Sequence, residues 1–315
     1  MSSTISVVIP CYNAAAFLRE AIDSALGQTR PADEIIVVDD ASTDGSAEVA
    51  LSYGDRIRLL RSPNAKGTGH GATANRGVMA SQGEYIAFLH ADDIWRPQHL
   101  EKVAGLLDEW TEVGVAFGRM EYFGANSGLL SETKYIDWDR PTNVFPIIMR
   151  TTILMPSAAV ARRHVIAEIG GFDEGRPFLA DDFDFFARCA CRHPFISCLE
   201  PTVLYRCHES QCSANVYPSL INAFRYRVRI IEDLRKMPDQ EAGCNLARDR
   251  TLRYWEEEIE TAWRNRDLTG LKQMVRYGMG DPLYRPATRS YALKCKVPEW
   301  AIRMLDHLRQ RTPAG

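Results

Sequence analysis

Long apolar segments are missing from this sequence: no run approaches the roughly 20 residues that a membrane-spanning helix needs. The first residues, MSSTISVV, also lack the basic start and long apolar core of a signal peptide. Net charge is small, at −3, so no overall basic field exists to recruit nucleic acid or anionic lipid. These absences favour a cytoplasmic enzyme, and peripheral contact with the inner face of a membrane stays open.

Paired short cysteine spacings, typical of zinc ribbons and small disulfide scaffolds, are also absent. Cys207, His208 and Cys212 lie close enough to raise the question of a metal, but no C-x-x-C pair completes the set. We therefore expect the eight cysteines to be reduced and mostly buried. The length and ordinary composition suit one large globular domain or two smaller ones.

The sequence does contain apolar runs that stop abruptly at polar or acidic residues. The three clearest are ISVVIP at 5–10, EIIVV at 34–38 and YIAFL at 85–89. Such runs are typical of buried strands, and segments with helical spacing lie between them. This alternation predicts an α/β fold with a doubly wound, mostly parallel, Rossmann-like sheet.

Each predicted strand ends in a polar group of residues: Pro10 to Tyr12, Asp39-Asp40 and Asp92-Asp93. The carboxyl ends of parallel strands share one edge of a sheet, where open α/β sheets bind ligands, so these groups should meet on one rim. An exposed aromatic ring, a carboxylate that accepts from a base N–H and a carboxylate pair for a hard cation suit a nucleoside diphosphate bridged by Mg²⁺ or Mn²⁺.

Taken singly, each group also fits a turn that caps a helix. Asn13, for example, is a predicted N-cap for a helix that ends near Gly27. The stretch GTGHG at 67–71 satisfies neither the phosphate-loop nor the dinucleotide fingerprint. It predicts either a helix entry packed close to other backbone or a helix N-terminus that lies, with Lys66, near a ligand.

A second acidic group, DDFDFF at 181–186, predicts a buried helix with three acids in its first turn. The helix dipole favours acids there, which is the structural interpretation. A carboxylate beside large apolar groups is also how a general base acquires a raised pKa. Further on, His208 follows a predicted strand over 196–206, with an arginine two residues earlier, which favours a nearby anionic ligand.

Strand signals vanish beyond about residue 215, and the remaining segments have helical spacing. We therefore predict two domains, a sheet domain over 1–215 and a helical extension over 216–315. Three roles for the extension remain open. These roles are packing on the sheet domain, forming a homodimer, and contacting a membrane surface or an acceptor.

Six motifs occur in family order over about residues 4–213: SVVIPCYN, EIIVVDDASTDGS, GEYIAFLHADD, GGFDE, ADDFDFFAR and YRCHESQCS. Together they resemble the family-two glycosyltransferases of the GT-A type. The resemblance implies an inverting, metal-dependent enzyme that moves a sugar from a nucleoside-diphosphate sugar, with UDP preferred, to an acceptor hydroxyl. It implies Mn²⁺ or Mg²⁺ as cofactor and a carbohydrate, lipid-linked or protein acceptor, as in polysaccharide, glycolipid or glycoprotein synthesis.

The resemblance also implies roles for individual residues. Tyr12 would stack on the nucleobase, Asp40 would receive a base N–H, and Asp92 matches the last acid of the family's D-x-D motif. The implied metal ligands are Asp92 and His208, and the implied base is Asp182, with Asp181 as its alternative. The implied donor-nucleotide contacts are Pro10, Tyr12, Asn13, Asp40, Lys66, His90, Ala91, Asp92 and His208.

One departure from the family pattern is His90, which stands where D-x-D often has its first acid. A neutral imidazole hydrogen-bonds a hydroxyl equally well, so His90 is expected to contact the ribose or donor sugar. Asp93 is then a supporting partner of the metal ligand. The departure keeps a second hypothesis open, a catalytically degenerate nucleotide-sugar-binding module. A nucleotidyltransferase is the third, although PCYNAAAF lacks the glycine-rich basic signature expected after the first strand.

Overall fold

The computed structural model describes residues 3–62, 67–124, 138–150, 154–174, 180–208, 216–236, 241–265 and 267–295. Lys66 and Cys212 lie outside the described residues. By internal contacts the chain divides into two compact units, Met1–Ala214 and Asn215–Gly315.

One mixed sheet forms the centre of the first unit. Its strands are β1 (Ile5–Cys11), β2 (Glu34–Asp39), β3 (Arg58–Arg61), β4 (Tyr85–Phe88), β5 (Ile94–Trp95), β6 (Val115–Gly124), β7 (Ala159–Arg162) and β8 (Phe195–Cys207). They pair in the order β3-β2-β1-β4-β7-β6-β8-β5. The predicted α/β fold with a mostly parallel sheet is confirmed.

The parallel half of the sheet positions the rim. β1 pairs in parallel with β2 on one side and β4 on the other, and every residue of β1 and β4 is buried, as expected for a sheet covered on both faces. In this register Cys11 lies opposite Asp39. The polar residues that follow β1 and β2 therefore lie side by side. Antiparallel pairing enters where β7 lies between β4 and β6, and where β5 pairs with β8.

Seven helices accompany the sheet in the described part of the first unit. They are α1 (Leu18–Leu26), α2 (Ser46–Leu51), α3 (His70–Ala80), α4 (His99–Glu109), α5 (Phe145–Ile148), α6 (Arg163–Ile169) and α7 (Asp181–Ala190). Helix α3 packs tightly on β1: a Cβ added at Gly77 would lie 2.3 Å from Val8 Cγ1. This contact allows α3 to lie against the sheet with its first residue at the rim.

The predicted N-cap role of Asn13 is wrong. Helix α1 begins at Leu18, with Phe17 at its N-cap position. Asn13 has a left-handed backbone, with φ of 49°, and its side-chain Oδ1 accepts a hydrogen bond from the Thr43 N–H at 2.8 Å. The side chain thus connects one rim loop to the next, and this bond uses the oxygen that an N-cap would offer to its own helix.

The second unit is helical in its described residues. Its helices are α8 (Val216–Lys236), α9 (Glu241–Arg264), α10 (Leu268–Gly280) and α11 (Arg285–Lys294). Their common core is aromatic: Trp255 stacks on Tyr284 with ring centroids 4.7 Å apart and meets Phe224 edge-on at 4.9 Å. Among the described helices, none is both long enough and apolar enough to span a membrane.

Candidate active site

The nucleobase end of the predicted site is formed by the loops that follow β1 and β2. Pro10 is buried in β1, whereas the Tyr12 side chain is 60% exposed. The Asn13 N–H donates to Ser42 Oγ at 2.9 Å, and the Ala15 N–H donates to Asp44 Oδ2 at 2.9 Å. These bonds join the two loops and leave the Tyr12 ring facing solvent beside them.

Asp40 is buried below the start of α3. Its Oδ2 accepts from the backbone N–H groups of Thr68 and Gly69 at 2.7 and 2.8 Å, and its Oδ1 accepts from Thr68 Oγ1 at 2.7 Å. The glycine-rich segment is therefore folded over this carboxylate, and a Cβ at Gly67 would lie 3.1 Å from Asp40 Oδ2. A carboxylate has about four acceptor positions, so roughly one is left for a base N–H.

The candidate metal site follows β4. One ligand atom from each of His90, Asp92 and Asp93 lies within 4.8 Å of the other two. His208, which directly follows β8, brings its Nε2 to 3.0 Å from Asp92 Oδ2. The His208 ring packs against Phe17, with centroids 4.7 Å apart. The implied ligands Asp92 and His208 are thus in direct contact. Ala91, which stands between His90 and Asp92 in the sequence, is buried.

Asp93 is hydrogen-bonded to residues that surround the candidate metal site. It is buried, its Oδ1 accepts from the Arg206 N–H at 3.0 Å, and its Oδ2 accepts from Ser157 Oγ. Burial and the neighbouring charge of Asp92 raise the pKa of Asp93 to about 8. Ser157 Oγ also accepts from the His90 N–H at 3.0 Å. Ser157 and Arg206, neither predicted as a site residue, hold the acidic turn in shape.

These side chains fit a divalent cation. Asp92 Oδ2 and His208 Nε2, which lie 3.0 Å apart, would offer an oxygen and a nitrogen ligand to such an ion. Carboxylate oxygens suit both Mg²⁺ and Mn²⁺. Arg206 Nε donates to the Asp92 backbone carbonyl at 2.8 Å, which fixes the turn without occupying the carboxylate.

The acid pair lies in the first turn of α7. His70 Nδ1 lies 2.9 Å from Asp181 Oδ2, whereas Asp182 Oδ1 accepts from the Phe183 N–H at 2.7 Å. Burial opposes ionisation of Asp181, but the charge and hydrogen bond of His70 outweigh burial and lower its pKa. Burial and the charge of Asp181 raise the pKa of Asp182 to about 6. The two adjacent acids therefore differ in proton affinity, and Asp182 binds a proton more readily than Asp181 does.

The third acid of this turn has a different environment. Asp184 is fully buried and forms an ion pair with Arg188 at 2.6 Å. Arg188 also donates to the backbone carbonyls of Ile169 and Gly171 at 2.6 and 2.8 Å. Asp184 therefore holds α7 to the end of α6 rather than facing the site.

His70 contacts several of the groups just described, and the sequence analysis did not identify it as a site residue either. Its Nε2 lies 3.2 Å from His90 Nε2, and the two rings are nearly perpendicular. His70 directly follows Thr68 and Gly69, which bind Asp40. Contacts thus run from Asp40 through this segment to Asp181 and to His90. The one sequence signal for His70 was its place between two glycines at the start of a predicted helix.

Comparisons with known proteins agree with this architecture. The family model described as Glycosyl transferase family 2 matches residues 6–170, just over half of the chain. The chain is 34% identical over 189 residues to an uncharacterized glycosyltransferase of Rickettsia typhi, an alignment that covers 57% of this chain and 57% of the relative. The chain therefore belongs to glycosyl transferase family 2.

Two solved structures share the fold. Staphylococcus aureus TarS 1-349, in complex with UDP-GlcNAc, is 18% identical with a TM-score of 0.65; the match covers 93% of this chain and 88% of TarS 1-349. The mannosyltransferase PcManGT of Pyrobaculum calidifontis, in complex with GDP-Man and Mn²⁺, is 18% identical with a TM-score of 0.58, covering 94% and 87% of the two chains. These likenesses confirm the GT-A fold predicted from the sequence.

Proposed function

We propose that this protein is an inverting, metal-dependent glycosyltransferase that moves a sugar from a nucleoside-diphosphate sugar to an acceptor hydroxyl. The observation that carries the proposal is the continuous set of contacts along the rim. Asp40 accepts hydrogen bonds from Thr68 and Gly69. The next residue, His70, contacts both Asp181 and His90, and His90 adjoins Asp92. The residues proposed for the nucleobase contact, the cation site and the general base are thus neighbours, as a single transfer site requires.

Asp182 is the proposed catalytic base, with Asp181 as its alternative. Asp182 takes the proton from the acceptor hydroxyl as that oxygen attacks the anomeric carbon, and the bond to the nucleoside diphosphate breaks. Attack from the side opposite the leaving group inverts the configuration. A positioned base of this kind contributes ~10²–10⁴ in rate. The raised pKa of Asp182, about 6, lets it stay ionised near neutral pH while binding a proton readily.

Asp92 and His208 are the proposed ligands of Mn²⁺ or Mg²⁺. When bound there, the cation neutralises negative charge that grows on the leaving diphosphate. The presence of Mn²⁺ in the PcManGT complex supports this assignment. His90, whose pKa is lowered to about 4 by burial and by His70, is neutral near pH 7 and suits a hydrogen bond to a ribose or donor-sugar hydroxyl.

UDP is the proposed nucleotide of the donor. The complex of TarS with UDP-GlcNAc supports this choice, as does the exposed Tyr12 ring, which has a free face for a planar base. Pro10 and Asn13 shape the loop that carries Tyr12, and Asp40 keeps about one acceptor position for a base N–H. Lys66 and Ala91 are the remaining proposed donor contacts.

The second unit is proposed to contact the acceptor, a membrane surface or a second copy of the chain. Charge separation supports an anionic partner: residues 215–315 contain 19 Lys and Arg against 13 Asp and Glu, although the whole chain has a net charge of −3. Charge asymmetry of this kind is typical of proteins that meet anionic surfaces or polymers. The proposed acceptor is a carbohydrate, lipid-linked or protein hydroxyl.

The proposed function is tested by incubating the protein with a panel of nucleotide sugars and Mn²⁺ and identifying the released product. Nucleoside diphosphate is expected from UDP-sugars, with less released when a chelator replaces the metal. Release of pyrophosphate instead would indicate a nucleotidyltransferase. Tight UDP binding without release of either product, with every acceptor class offered, would indicate a degenerate binding module.

A further inference from the structure

His70 is a side chain at the centre of the site to which the proposed reaction assigns no role. It is the first residue of α3, and its side chain is 25% exposed, whereas that of Asp181 is 11% exposed. One ring nitrogen lies 2.9 Å from Asp181 Oδ2 and the other lies 3.2 Å from His90 Nε2. A single imidazole therefore contacts both the acid pair and the histidine beside the cation site.

The contact with Asp181 has a defined direction. An ionised carboxylate only accepts hydrogen bonds, so Nδ1 of His70 must carry the proton that lies between them. This bond occupies Oδ2 of Asp181. Asp182, its neighbour in the same helical turn, accepts instead from the backbone N–H of Phe183 at 2.7 Å. The His70 contact thus makes two adjacent acids unequal.

The position of the His70 ring is fixed by its surroundings. The ring meets Phe172 edge-on at 5.5 Å, and Phe172 is stacked on Phe185 of α7 at 4.1 Å. Asn75, further along α3, donates to the Phe172 carbonyl at 2.9 Å and accepts from the Phe172 N–H at 2.8 Å. A Cβ at Gly71 would lie 3.0 Å from Asp181 Oδ2. Glycine next to His70 is therefore what allows α3 to approach the acid pair closely.

We propose that His70 is a positioning residue for sugar transfer. Its Nδ1 holds Asp181, which leaves Asp182 as the carboxylate that receives the acceptor proton, and its Nε2 holds His90 against the donor. This inference rests on the proposed transferase function. The ring contacts Asp181, which adjoins the proposed base, and His90, which is proposed to bind the donor. It therefore fixes the distance from the base to the donor sugar. Displacing the reacting groups by about 1 Å costs on the order of 10²-fold in rate.

Three substitutions separate the two contacts. His70→Ala removes both and is expected to lower kcat about 10–100-fold and to raise the KM for the donor. His70→Asn keeps a donor near the position of Nδ1, so it should restore part of kcat while KM stays raised. His70→Gln reaches the position of Nε2, so it should restore KM while kcat stays low. A merely structural role would move both parameters together in all three variants, and that result would overturn the inference.

The matched control is His193→Asn. His193 also pairs with a carboxylate, Glu168 at 2.8 Å, but lies outside the site, so this variant should retain wild-type kinetics. A second readout does not depend on turnover: long-range ¹H–¹⁵N spectra of histidine-labelled protein should show His70 protonated at Nδ1, with a signal that shifts in Asp181→Ala. A bare Nδ1 would overturn the inference.

The outcomes separate failure of this inference from failure of the proposed function. If the wild-type protein releases nucleoside diphosphate but all three His70 variants keep kcat and KM within about twofold, the transfer stands and the positioning role is wrong. If the wild-type protein releases none from any nucleotide sugar, the transfer is wrong and the positioning role falls with it.

Discussion

His208 Nε2 lies 3.0 Å from Asp92 Oδ2, although 116 positions separate the two residues in the chain. The contact joins the turn after β4 to the end of β8, and Arg206 reinforces it by donating to the Asp92 carbonyl. We propose that this imidazole and this carboxylate bind one cation together. Metal binding should therefore depend on both.

Asp92→Ala and His208→Ala are each expected to remove the stimulation of UDP binding by Mn²⁺. Losing a ligand should cost more than the roughly 10–100-fold in metal affinity typical of outer partners. The measurement is a calorimetric titration of UDP with and without Mn²⁺, accompanied by a Mn²⁺ titration followed by electron paramagnetic resonance. The exposed Asp55→Ala variant is the control. Equal UDP affinity with and without Mn²⁺ in the wild-type protein would contradict the metal assignment.

The pH dependence of the reaction should report Asp182. Burial and the charge of Asp181 raise the pKa of Asp182 to about 6, and a general base acts only when deprotonated. The ratio kcat/KM is therefore expected to rise with pH through about 6 and to reach a plateau above it. Asp182→Asn should abolish this rise. A rate that falls as pH increases from 5 to 7 would show that an acid form is required instead.

Tyr12→Ala is expected to weaken UDP binding by about 1–3 kcal/mol, the usual contribution of stacking between a base and an aromatic ring. Tyr12→Phe keeps the ring and should bind UDP as the wild-type protein does. Because the side chain is 60% exposed, neither change should alter the melting temperature much. Unchanged UDP affinity in Tyr12→Ala would exclude stacking on this residue.

Arg188→Ala should destabilise the protein without acting on the chemistry directly. The substitution removes the cation beside the fully buried carboxylate of Asp184, and breaking such a pair costs about 3–5 kcal/mol. The control is Arg192→Ala, which breaks the exposed pair with Glu168 and should cost at most about 1 kcal/mol. Urea unfolding gives both free energies. Similar values for the two variants would contradict the structural role of Asp184.

Much of the rim could be predicted from the sequence because its signals are local. An apolar run that ends in acids indicates both a strand and the side of the sheet on which its last residues lie, as with Asp40 and Asp92. The pairing of Asp92 with His208 came from the family resemblance, since no local pattern joins residues so far apart.

The remaining features depend on contacts between distant segments. The Thr68 hydroxyl reaches Asp40 across 28 positions, and His70 reaches Asp181 across 111. Neither pairing alters the periodicity of its own helix or strand. The partner of the Asn13 side chain is of the same kind, because Asn13 bonds to Thr43 in another loop. Periodicity therefore predicted the elements, whereas the partners of their polar side chains depend on the packed fold.

The most direct test of the central claim compares wild-type protein with Asp182→Asn and Asp184→Asn in a nucleoside-diphosphate release assay, with UDP affinity measured on the same samples. Asp182→Asn should bind UDP normally and lose at least ~10²-fold in kcat. Asp184→Asn, which alters the structural acid of the same turn, should lose stability but keep much more of its turnover. Near-normal turnover in Asp182→Asn would contradict the account.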